Sequence, residues 1–126
     1  MTNSLVKVAI AQFSPIHHDL SACLNKVGQI LDQAAKEAVQ LVVFGETWLS
    51  GYPAWIDHCP GVAVWDDPGM KKAYRQFVDS AVAIDGEAIQ HVCKLAADHK
   101  TAMVLGINEK VSSGPGNGTV YNTVLI

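Results

Sequence analysis

Charge, cysteine and long apolar runs are all scarce in this chain, and each scarcity excludes something. Only 17% of the 126 residues are Asp, Glu, Lys or Arg, with nine basic side chains against twelve acidic and a net charge of -3. No basic field exists to attract nucleic acid or an anionic membrane surface, so neither is expected as a partner. Cys23, Cys59 and Cys93 are odd in number, widely spaced and without a C-x-x-C pair. A disulfide framework and a zinc site therefore lack a basis, and no metal or cofactor is expected. The apolar stretch from Val6 to Phe13 is interrupted by Lys7 and Gln12. It is too short and too broken for a signal segment or a membrane-spanning helix, which points to a soluble, cytoplasmic protein. Internal repeats and low-complexity segments are missing as well.

What is present suits a folded α/β chain. Hydrophobic residues make up 49%, enough for a real core in one domain's worth of chain. Leu5 to Phe13 reads as a first strand, closed by Pro15. Asp19 is a plausible N-cap for a helix in which Leu20, Cys23, Leu24, Val27, Ile30, Leu31, Ala34, Ala35 and Ala38 recur every three or four residues. Leu41 to Phe44 is a second strand, and strand, helix and strand form a parallel βαβ unit. Helices are expected from about Met70 to Val82 and around Ile89 to Ala96, ending near Asp98, His99 and Lys100. Thr101 to Ile107 reads as a third strand, closing at Asn108 and Glu109, and a Gly/Pro/Ser turn over 112–118 returns Thr119 to Ile126 antiparallel to it. Residues 123–126 stop in mid-strand without a cap or polar tail, which leads to the expectation of an N-terminal piece of a longer protein, or of a chain completed by a partner.

The stretch Leu41 to Pro53 organises the rest. An apolar strand ends at Gly45, the carboxylate of Glu46 follows at once, and Gly51-Tyr52-Pro53 makes a turn. Ligands of open α/β sheets bind outside the carboxyl ends of the strands, so Glu46 is a site candidate. The same position also suits a structural acid, the first polar residue after a buried strand. Residues 54–69 show no sustained period and are long for a plain connection. Trp48, Tyr52, Trp55 and Trp65 give this region bulk either to line a pocket or to pin the loop to the body. Glu46 and Glu109, each at a strand end, would rim one crevice if their strands are parallel neighbours. A carboxylate held beside a like charge suits general base work. Cys59 adjoins His58, but neighbours on an extended backbone point opposite ways, so the pair is not read as a nucleophile and its base. Cys23 and Cys93 fall on apolar helix faces as core residues, and Lys110 reads as a surface residue. His17 and His18 have no partner ligands at metal-binding spacing.

The segment Phe44-Gly45-Glu46-Thr47-Trp48-Leu49-Ser50-Gly51-Tyr52-Pro53-Ala54-Trp55 resembles the glutamate motif of the nitrilase branch of the carbon-nitrogen hydrolases. Val8-Ala9-Ile10-Ala11-Gln12 with Pro15, the Gly106-x-x-Glu109 strand end and Tyr121-Asn122-Thr123 resemble that family in the same order. The resemblance implies the N-terminal half of an α-β-β-α sandwich, with a mixed, mostly parallel sheet, helices on one face and a C-terminal antiparallel hairpin, so that 1–126 is a partial domain. It further implies hydrolysis of a nitrile to a carboxylic acid and ammonia by a Glu-Lys-Cys triad. Glu46 matches the base, and Glu109 and Asn122 match supporting positions. Trp48, Tyr52 and Trp55 become substrate-pocket candidates for a small-molecule nitrile. The lysine and cysteine motifs have no match here, so these 126 residues alone should be inactive. Association of copies through sheet or helix faces is expected. An amidase-type hydrolase and a non-catalytic assembly module are the alternatives.

Overall fold

Short strands alternate with amphipathic helices in the order β1 (Val8–Ile10), α1 (Leu20–Lys36), β2 (Leu41–Val43), α2 (Trp55–His58), α3 (Pro68–Ser80), α4 (Glu87–His99), β3 (Ala102–Lys110) and β4 (Val120–Leu125). This is a computed structural model that describes residues 5–126. α1 forms where Cys23, Val27, Ile30, Leu31 and Ala34 share one buried stripe. Asp19 caps it as expected, its carboxylate accepting from the Ala22 amide at 2.9 Å. The helix ends at Lys36 rather than Ala38, because Ala38 turns the chain with a φ of 53°.

The four strands lie in the order β1-β2-β3-β4. β1 and β2 are parallel, with Ala9 opposite Val42, and β2 and β3 are parallel, with Val42 opposite Met103. β4 is antiparallel to β3, with Asn108 opposite Asn122. Successive strand side chains alternate between faces. Val42, Met103, Leu105 and Ile107 therefore join α1 and the Ile89 and Val92 side chains of α4 in one core. On the other face Val8, Ile10 and Val124 stay exposed. The mostly parallel α/β sheet with its antiparallel hairpin agrees with the expected class.

Four boundaries differ from the sequence reading. β1 spans three residues rather than Leu5 to Phe13, since its partner β2 is itself only three residues long. The connection 54–69 holds a single helical turn, α2. α3 begins at Pro68, with Asp67 accepting from the Met70 amide at 2.8 Å, and it stops at Ser80. Ala81 and Val82 thus lie outside the helix: the Val82 amide donates to Asn108 O at 2.9 Å and Val82 O accepts from the Lys110 amide at 2.8 Å. Finally, β3 runs on to Lys110, because β4 pairs with it that far, so Asn108 and Glu109 are inside the strand instead of beyond its end.

Candidate functional site

Beyond β2 the chain leaves the sheet through a turn that local preferences alone would not hold. Thr47, Ser50 and Gly51 have φ values of 43°, 76° and 99°. For Thr47 and Ser50 that region costs on the order of 1–3 kcal/mol each and persists only where the surroundings over-determine it. β3 supplies those surroundings. Its Val104 and Gly106 carbonyls accept from the Phe44 and Leu49 amides at 2.8 and 3.0 Å. Gly106 has to be glycine: a Cβ there would lie 2.4 Å from both Gly45 O and the Thr47 nitrogen. The buried Asn108 donates from Nδ2 to Gly51 O at 2.9 Å and to Ser50 Oγ at 3.4 Å. Within the turn, the Gly51 amide donates to Thr47 O at 3.1 Å.

So mounted, Glu46 projects toward β4, where Asn122 Nδ2 donates to its Oε1 at 2.5 Å. A hydrogen bond to an ionised carboxylate is among the stronger kinds and also fixes direction. The carboxylate stands at the rim of a cavity of about 350 Å³. Polar lining comes from Glu46, Thr47, Asn108 and Asn122; Tyr52, Pro53, Ile56, Tyr74, Phe77, Val120 and Tyr121 give it an apolar, ring-rich wall. An exposed carboxylate beside an amide donor, facing such a space, can accept a proton from a group bound there. Among the described residues no cluster of His, Cys, Asp or Glu has the makings of a metal site.

The other sequence candidates divide. Tyr52 lines the cavity. Trp48 does not: it is buried, edge-on to Phe44 at 5.0 Å, with Nε1 donating to Phe13 O at 2.6 Å, so it ties the turn to the segment after β1. Trp55 is also absent from the lining and packs edge-on against Phe77 at 6.3 Å. Both tryptophans are structural props of the site. Glu109 does not share the rim with Glu46. It sits one residue past Asn108 in the strand, hence on the opposite face, and there its Oε2 accepts from the Thr123 hydroxyl at 2.8 Å. The expectation of two acids at one crevice fails because β3 continues through both residues.

No cysteine or lysine lines the cavity among the described residues. Cys23 is buried in α1, its thiol donating to Ile16 O at 3.2 Å; Cys93 is exposed on α4; Cys59 closes α2. Lys110 Nζ donates to Val78 O at 3.4 Å. Asn108 and the α3 residues Tyr74 and Phe77 line the cavity beside Glu46, a placement that sequence reasoning missed. For Asn108 a signal existed, an amide side chain directly after the apolar run Val104-Leu105-Gly106-Ile107, since a buried polar group must find a partner.

Residues 7–126 match the carbon-nitrogen hydrolase family. An arylacetonitrilase of Aspergillus niger is 34% identical over 105 residues, covering 83% of this chain and 29% of that protein. Nitrilase 2 of Arabidopsis thaliana is 29% identical over 109 residues, covering 86% and 32%. The chain thus spans about a third of the length of the curated relatives it matches. Among solved structures, an amidase from Nesterenkonia sp. superposes with a TM-score of 0.55 at 20% identity, covering 96% of this chain and 42% of that one, a likeness of fold. With the family match running from β1 to the last residue and the Glu46 motif at its centre, the chain belongs to the carbon-nitrogen hydrolases, in their nitrilase branch.

Proposed function

We propose that Glu46 is the general base of a nitrilase-type hydrolysis that converts a small aromatic nitrile to its carboxylic acid and ammonia. Glu46 takes the proton of a cysteine thiol, and the thiolate adds to the nitrile carbon to give a covalent thioimidate. A lysine stabilises the charge that develops. One water displaces ammonia and a second releases the acid, restoring the thiol. In this reading the thiol and the amine come from elsewhere in the working enzyme, and residues 1–126 form the base-bearing part of its domain. The observation that carries the proposal is the carboxylate of Glu46, aimed by Asn122 at the rim of a cavity walled by Tyr52, Tyr74 and Phe77. Those rings favour an aryl or arylalkyl substituent, in keeping with the named activity of the arylacetonitrilases.

The test is ammonia release from phenylacetonitrile by the protein expressed from its complete reading frame. Glu46→Gln keeps the shape and the contact to Asn122 but cannot take a proton, so turnover should fall about 10²–10⁴-fold with folding intact. Undiminished turnover would remove Glu46 from the mechanism, and phenylacetamide consumed in place of the nitrile would move the reading to an amidase. We also propose that copies associate through the uncovered sheet face around Ile10 and Val124. A monomer in sedimentation of the 126-residue chain at micromolar concentration would count against that.

A further inference from the structure

We propose that Asn108, which never touches Glu46, is a positioning residue for it, acting through the Ser50–Gly51 turn and working as one unit with Asn122. This rests on the proposed function above. The two asparagines are directly opposed in the β3–β4 ladder and so present their side chains on the same face. From that single rung they grip the two ends of one short segment: Asn122 holds the Glu46 carboxylate at the start, Asn108 the Gly51 carbonyl and Ser50 hydroxyl at the end. The segment between them carries the positive φ angles of Thr47, Ser50 and Gly51, so it needs an external tether to keep its form.

The Asn122 contact depends on the Asn108 tether. With Gly51 released, the turn relaxes and carries the Glu46 carboxylate away from Asn122. Loss of Asn122 leaves the turn in place but the carboxylate unaimed. Asn108 is 2% exposed, and its donors are directed into the turn instead of into its own strand. An amide that only satisfied itself locally would stabilise the fold without affecting where a carboxylate four or five residues away sits.

The experiment uses the protein from its complete reading frame. Ammonia release from phenylacetonitrile is measured for Asn108→Ala, Asn122→Ala and the double variant, together with hydrogen exchange of the backbone amides from Thr47 to Gly51. Misplacement of a reacting group by about 1 Å can lower turnover about 10²-fold. Asn108→Ala should lower kcat on the order of 10-fold with KM changed by less than about twofold, and the double variant should be no slower than the slower single one, since the two losses share one cause. Exchange across the turn should quicken in Asn108→Ala. If Asn108→Ala does not fold, Asn108→Ser, whose hydroxyl is too short for the Gly51 carbonyl, is expected to reproduce the kcat loss. Unchanged kcat, multiplying effects in the double variant, or unchanged exchange across the turn would overturn the proposal. A wild-type protein that releases no ammonia would sink the nitrilase reading instead, and the exchange measurement would still decide whether Asn108 holds the turn.

Discussion

Leu105 and Ile107 of β3 point into the core beneath α1 and α4, while Gly106 and Asn108, alternating with them, meet the Glu46 turn. The first pair is fully buried among aliphatic side chains and contributes the usual free energy of removing such groups from water. The second pair contributes little apolar area. One residue is chosen for having no side chain, the other for an amide that reaches across to a neighbouring segment. A period of two therefore separates the core from the proposed site within a single strand. Substitutions on one face should read out as unfolding free energy, and those on the other as rate.

The contrast is strongest between adjacent residues. Gly106→Ala places a methyl group where Gly45 O and the Thr47 nitrogen already stand, both backbone, so the turn itself has to shift. Ammonia release should drop on the order of 10²-fold, with a stability loss of about 1–3 kcal/mol. Leu105→Ala should show the converse, about 2–5 kcal/mol of destabilisation in denaturant melts but kcat of the folded enzyme within about twofold of wild type. If Leu105→Ala slowed the folded enzyme as much as Gly106→Ala, the division between the faces would not hold.

A smaller effect sharpens the same division. Thr47 Oγ1 is buried and finds no hydrogen-bond partner among the described residues. Removing a polar group whose partner is missing relieves its desolvation. Thr47→Val keeps the branched shape, and it should leave stability unchanged or raise it by up to about 1 kcal/mol, as measured by thermal melting. A loss of more than about 1 kcal/mol would mean that the hydroxyl is satisfied in solution and that the turn is less strained than its φ angles indicate.

Legibility followed the range of the interaction. α1 was readable from its stripe and from Asp19, because cap and period are local. The βαβ unit, the returning hairpin and the position of Glu46 after β2 were equally readable. What escaped depended on contacts far apart in sequence. Asn108 reaches Gly51 across 57 positions, and Val82 leaves its helix for the free edge of β3. Composition shows that the segment after Glu46 is aromatic, but not which way each ring faces, so it leaves open whether Trp48 and Trp55 line a pocket or pin the loop; in the structure both pin it, and Tyr74 and Phe77 of α3 line the cavity. Glu109 was misdirected by a strand end placed three residues too early, at Ile107 instead of Lys110: in an alternating structure, whether a strand continues decides to which face a side chain belongs.

The smallest expected effect lies wholly on the helix side of the sheet. At the end of α4, His99 Nε2 meets Asp32 Oδ1 of α1 at 2.9 Å, and Nδ1 meets Leu95 O at 2.8 Å. Both partners are acceptors, so only the protonated ring can donate to both. The Asp32 contact, and after it the Leu95 carbonyl, raise the His99 pKa above its ordinary 6.5, against a lowering from partial burial. Because the folded state binds this proton more tightly than the unfolded chain does, the contribution is complete below the ordinary value and fades as pH rises through the raised one. Melting temperature should therefore slip as pH rises above the ordinary 6.5, and Asp32→Asn or His99→Gln should flatten that slope without altering kcat of the folded enzyme. A slope that survives in His99→Gln would place the titrating group elsewhere. A kcat that moved with it would tie the helix layer to the Glu46 face, from which the alternation of β3 otherwise separates it.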